Sequence, residues 1–73
     1  MRVAYDKTVD AAYIYLREIQ RGEVENTYPC DVKELGFELN LDFDRSGHLV
    51  GIEVQSASRH LPKSLIKHAL NGG

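Results

Sequence analysis

A single cysteine, no tryptophan and only two prolines among 73 residues set the first limits. Cys30 has no second thiol to pair with, which excludes an internal disulfide and a cysteine-based zinc site, since the latter needs several ligands at defined spacing. A lone thiol suits a reducing compartment, so the expected location is cytoplasmic. No apolar run approaches the roughly 20 residues of a membrane helix, and "MRVAYDKTVD" has no apolar stretch of signal-peptide length. Neither targeting nor a membrane partner is expected. Glycines 22, 36, 47 and 51 are scattered, so no phosphate-cradling loop forms, and the chain has no nucleophile elbow or paired Cys and His. Enzyme is therefore the minority reading, and neither a cofactor nor a metal is expected.

Clustered positive charge is also missing. The net charge is −2, and residues 59–73 carry Arg59, Lys63 and Lys67 without an acid, which leaves −5 for residues 1–58. An acidic body opposes non-specific binding to phosphate backbones. The three basic residues read as a solvated helix face.

What is present is an ordinary globular composition, 42% hydrophobic and 27% charged, in one domain over residues 1–73. A chain this short buries only roughly 60 to 65% of the surface its unfolded form exposes, so the core must be thin. Arg2 to Tyr5 reads as a first strand and "DKTVD" as a tight connection. Ala11 to Leu16 alternates Ala12, Ile14 and Leu16 against Ala11, Tyr13 and Tyr15, a strand apolar or aromatic on both sides and so interior to a sheet. Gly22 marks a turn, and "VENTY" forms a third strand that Pro29 ends by removing a ladder donor. Phe37, Leu39, Leu41 and Phe43 alternate with acidic and amide residues, the clearest period of two in the chain. "HLVGIEVQ" returns as a fifth strand. Leu61, Leu65, Ile66, Ala69 and Leu70 then share a helical stripe, with Pro62 in its first turn and Asn71-Gly72 as a stop. The expected fold is α+β, a mainly antiparallel four- or five-stranded sheet with a C-terminal helix packed on one face.

The stretch "DFDRSGHLVGIE" fits a calcium-loop signature, with Asp42, Asp44 and Ser46 as ligands, Gly47 at the sharp turn and Glu53 closing the site. Such a loop must join two helices, and both flanks here read as strands. In a hairpin Glu53 stands roughly 20 Å from the turn at about 3.4 Å per residue, too far to share an ion with Asp42 and Asp44. The reading is a hairpin, with the Asp44 side chain capping the turn. Two registers fit. A two-residue loop sets Val50, Ile52 and Val54 opposite Leu41, Leu39 and Phe37, but also Glu38 opposite Glu53. A three-residue loop ending at Gly47, with a bulge at Gly51, suits the turn chemistry better.

The remaining candidates are weak ones. His60 and His68 are eight apart on a short helix rather than three or four, and with His48 beside a turn they read as solvated. Asp6 and Asp10 are the nearest thing to a paired acid and base, and they flank a turn where local capping accounts for them. The four tyrosines 5, 13, 15 and 28 suit the core rim or an oligomer surface, with Tyr13 and Tyr15 the candidates for contact with a partner.

"YDKTVDAAYIYL" (Tyr5 to Leu16) and "DFDRSGHLVGIEVQSAS" (Asp42 to Ser58) together resemble the small bacterial YuzE-like proteins, domain of unknown function 2283. The resemblance rests on Tyr5-Asp6, Asp10-Ala11, Tyr13-Ile14 and Leu16, then on Asp44, Gly47 and Leu49 to Glu53. It implies a small α+β fold and a prokaryotic cytosolic source, and it brings no catalytic residues. Some members are similar in size and gene setting to the protective halves of toxin-antitoxin pairs, which implies a protein-binding role. The leading expectation is thus a binding or regulatory module, a homodimer that also captures a protein partner. The alternatives are a small hydrolase or metal-dependent enzyme using Asp6, Asp10, His60 or His68, and, weaker, RNA binding.

Overall fold

The computed structural model describes residues 1–72. Five strands, β1 (Arg2–Asp6), β2 (Ala11–Tyr15), β3 (Asn26–Val32), β4 (Phe37–Phe43) and β5 (Leu49–Gln55), form one sheet in the order β1-β2-β5-β4-β3 with every neighbouring pair antiparallel. Two short helices follow, α1 (Ala57–His60) and α2 (Lys63–Leu70). This is the expected α+β class with a five-stranded sheet and the helical layer at the C-terminus.

Period-2 alternation divides the sheet into two faces. Val3, Ile14, Ile52, Leu41 and Tyr28 form one row across all five strands, and Tyr5, Ala12, Val54, Leu39 and Cys30 the next row on the same face. The helices lie on this face, α2 against β1 and α1 against β2. The core is the cluster Ala12, Val54 and Ala57, with Tyr5, Ile14, Phe37, Leu39, Ile52, Leu61 and Ile66 packed around it. Val50 is the largest fully buried side chain, a mark of how little such a short chain encloses.

Beyond shifts of one or two residues at strand ends, three features differ from the sequence expectation. β3 does not stop at Pro29 but runs on to Val32, because β3 is an edge strand and a proline there costs at most one ladder bond. The C-terminal stripe is not one helix. Pro62 disfavours helical geometry in the residue before it, so Leu61 is extended at φ −97° and ψ 151°, α1 closes there, and α2 starts afresh at Lys63. The β4–β5 hairpin has the three-residue loop of Arg45, Ser46 and Gly47, closed by Asp44 N–H to His48 O at 2.9 Å, with Gly47 at φ 86°. The bulge that restores the inward face is one residue earlier than Gly51. Phe43 pairs with Leu49 and Asp42 with Gly51, which leaves Val50 as the extra residue.

Candidate functional site

Asp6 and Asp10 sit at the two ends of the β1–β2 connection, and each is occupied. Asp6 accepts from the Thr8 hydroxyl at 2.6 Å and the Thr8 amide at 2.9 Å, a closed turn that holds its carboxyl below the usual carboxylate range, with the hydroxyl the larger cause. Asp10, at φ 51°, reaches much further than a local cap. Its carboxylate accepts from the Tyr5 hydroxyl at 2.7 Å and from the Ser58 amide and hydroxyl at 2.9 and 2.7 Å, and its carbonyl accepts the Ala57 amide at 2.9 Å. These bonds tie the first hairpin to the start of α1, 48 residues away. They also lower the Asp10 carboxyl, through Tyr5 first and Ser58 next, and raise the Tyr5 phenol. Both aspartates are thus held as anions and used as acceptors.

The two histidines lie apart in role. His60 stacks on the Phe37 ring with centroids 3.8 Å apart and 13° between planes, whereas His68 is exposed on α2. Among the described residues no group of three or more His, Cys, Asp or Glu side chains is placed to hold a metal ion. The calcium-like stretch is divided the same way. Asp44 accepts the Ser46 and His48 amides at 3.0 and 2.9 Å and pairs with Arg17 at 3.2 Å, Asp42 takes Tyr13 and Thr27, and Glu53 takes Asn40 and Gln55. The hairpin reading holds, with Asp44 as the cap of its turn. Its carboxyl is held low by the His48 amide above all.

Tyr13 and Tyr15 point to the face without helices, edge-on to each other at 4.7 Å. Arg2 lies over the Tyr15 ring at 3.6 Å. Tyr13 crosses diagonally over Gly51 and donates to Asp42 at 2.5 Å, while Thr27 donates to the same carboxylate at 2.6 Å. Burial first, and Asp42 second, raise the Tyr13 phenol and keep it protonated. With this tyrosine pair, Ile19 to Gly22 and Val24 of the β2–β3 connection border an open pocket of about 370 Å³. The tyrosines are thus already partnered within the chain. Gly51 is a site that pattern reading misassigned. A Cβ there would come within 2.7 Å of Tyr13 Cε2 and closer still to its hydroxyl, so the glycine exists to let the ring cross.

The least satisfied surface lies on the helix-bearing face. Apart from the His60 ring on Phe37, the helical layer stands over the β1, β2 and β5 side, and β3 with the outer part of β4 lacks a second layer. Here Tyr28 is 55% exposed and edge-on to Phe43 at 5.6 Å, beside half-buried Leu41 and exposed Cys30. Of these only Tyr28 stands among the sequence candidates for a surface role, within a group of four tyrosines, whereas Leu41 and Phe43 read only as strand positions and Cys30 only as an unpaired thiol. Pairing is the missing information, since it alone splits that group into Tyr5 and Tyr28 on one face and Tyr13 and Tyr15 on the other.

A family model matches residues 2–58, the whole sheet and the start of α1 up to the Asp10 clamp. The chain belongs to the family described as Protein of unknown function (DUF2283). The match ends at Ser58, before α2, and takes in the sheet together with the residues that anchor Asp10. No curated protein and no solved structure matches the chain. No helix among the described residues is long and apolar enough to cross a membrane.

Proposed function

We propose that this DUF2283 chain is a protein-binding module of a bacterial cytoplasm, antitoxin-like in using a small folded surface to hold a protein partner and acting as a homodimer. The observation that carries the reading is the single-layered outer part of the sheet, where Tyr28, Cys30, Leu41 and Phe43 form a contiguous apolar and aromatic strip. A sheet face is stable when a second layer covers it, and a monomer seldom leaves such a strip in water. Aromatic residues flanked by polar edges are the usual anchors of a protein interface. The opposite face supports the reading by contrast, because its polar side chains are bonded to one another through Tyr13–Asp42–Thr27 and Asn40–Glu53–Gln55.

Affinity capture tests this. Tagged wild-type protein and a Tyr28→Glu variant are used as baits in lysate of the native host, with retained proteins quantified by mass spectrometry and self-association by light scattering. The expected result is a stoichiometric partner, another protein or a second copy, held by the wild type and released by a variant of unchanged circular dichroism. Recovery of monomeric bait alone from both would sink the reading.

A further inference from the structure

We propose that the uncovered part of the helix-bearing face is closed by the helices of a second copy, each protomer seating its α1–α2 layer on the other's β3–β4 hairpin about a two-fold axis. This rests on the protein-binding reading above and names one partner and its surface.

The exposed area is the first support. A compact monomer of 8.2 kDa exposes roughly 4,500 Å². This chain exposes 5207 Å². The excess of about 700 Å² is close to the roughly 800 Å² that each partner buries in a standard interface. Shape agrees. The chain is a slab of 33 × 31 × 18 Å, and its radius of gyration of 12.4 Å exceeds the roughly 11 Å expected for 73 residues. Because the helices occupy only one side of their face, that face is stepped, and a two-fold rotation sets the step of one copy into the recess of the other.

The outer side of the helices also lacks a layer. α2 rests one side on β1, yet none of its eight residues is fully buried, and a helix of that length depends on packing for its stability in water. Its Ile66 and Leu70, with Ser58, Lys63 and Lys67, line a largely apolar notch of about 290 Å³. Tyr28 of the second copy has the chemistry that such a notch takes, an aromatic ring for Ile66 and Leu70 and a face for the two ammonium groups.

Charge is complementary in the same sense. Residues 57–70 carry Arg59, Lys63 and Lys67 without an acid, a charge of +3. Residues 26–43 carry Asp31, Glu34, Glu38 and Asp42 against Lys33, a charge of −3. Asp31, Glu38 and Asp42 lie on the reverse of the sheet, so only their long-range, salt-screened field reaches the helices of the other copy. Edge pairing through β3 is opposed by its own residues. Edge strand β3 is interrupted by Pro29, which lacks a ladder donor, and carries Asp31.

The test is solution NMR on the intact chain, mixing ¹³C-labelled and unlabelled protein, together with sedimentation equilibrium. The expected result is a dimer with intermolecular contacts from the Tyr28 ring to the Ile66 and Leu70 methyls. Tyr28→Ala removes both symmetry-related anchors and weakens dimerisation about 1,000-fold, roughly 30-fold for each aromatic anchor lost. The double variant K63E/K67E weakens it more at low than at high salt. A wild type still monomeric at millimolar concentration, or a dimer whose contacts come from Tyr13 and Tyr15, overturns the proposal. A monomer that captures another protein through Tyr28 overturns it and leaves the binding-module reading standing, whereas a monomer that captures nothing overturns both.

Discussion

Replacing Gly51 with alanine isolates one contact that holds the polar face together. The new Cβ would meet the Tyr13 ring and hydroxyl well inside van der Waals distance, and the ring can leave only by giving up its bond to Asp42. A hydrogen bond to a charged group is worth about 1.5–3 kcal/mol, with the lower end apt for a partly exposed pair. Alanine in a strand returns about 0.5–1 kcal/mol, because glycine loses more freedom on folding. The net expectation is a loss of about 1 kcal/mol, or a fall in Tm of roughly 4–8 °C for a domain of this size. In a Tyr13→Ala background the obstacle is gone and the same substitution becomes stabilising by about 0.5–1 kcal/mol. Urea unfolding followed by circular dichroism on the four proteins of this cycle measures the coupling directly. If Gly51→Ala has the same sign in both backgrounds, Tyr13 is not what the glycine accommodates and the account of this face is wrong.

Three further outcomes follow from the same packing. The folded-state pKa of Asp10 is depressed by Tyr5 and Ser58, so its contribution is present above the ordinary value of 3.8 and is lost as pH falls through the folded value; Asp10→Asn should destabilise at neutral pH, with the gap to wild type narrowing below about pH 4 in acid-unfolding curves. Val54→Ala removes two methyl groups from the centre of a thin core and should cost about 2 kcal/mol by urea unfolding at an unchanged m-value, where a cost near zero would mean that the cluster with Ala12 and Ala57 is not the core. Ser56 is held at φ 52°, a left-handed conformation that strains any side chain, so Ser56→Gly should raise stability by about 0.5–1 kcal/mol, and a fall in Tm would show that its side chain has a role of its own.

Legibility followed the range of the interactions. The alternation of Phe37 to Phe43 and the Asp44-to-Gly47 turn are encoded within a few residues, so both the β4–β5 hairpin and its side-chain cap could be read directly. Pro29 misled, because whether a proline ends a strand depends on whether that strand is an edge, and edge status is a property of the sheet. Asp10 was read as a local cap since its sequence neighbours supply a turn, while the amide it caps comes from Ser58 at the far end of the chain. Gly51 offered a bulge as its nearest explanation, and only the diagonal Tyr13 ring shows the other.

By itself the amino-acid sequence determined what short-range chemistry can specify: the α+β class, five strand-forming segments, the turn at Gly47, the helix-forming tail and the likeness of Tyr5–Leu16 and Asp42–Ser58 to one family. The tertiary structure alone decided which residues of different strands share a face. Strand order and register bring Tyr28, Leu41 and Phe43 together beyond the reach of the helices, and the same pairing hands Tyr13 to Asp42. The physical reason is that one step of register moves every side chain of a strand to the opposite face, and each register is fixed by long-range pairing rather than by any local signal.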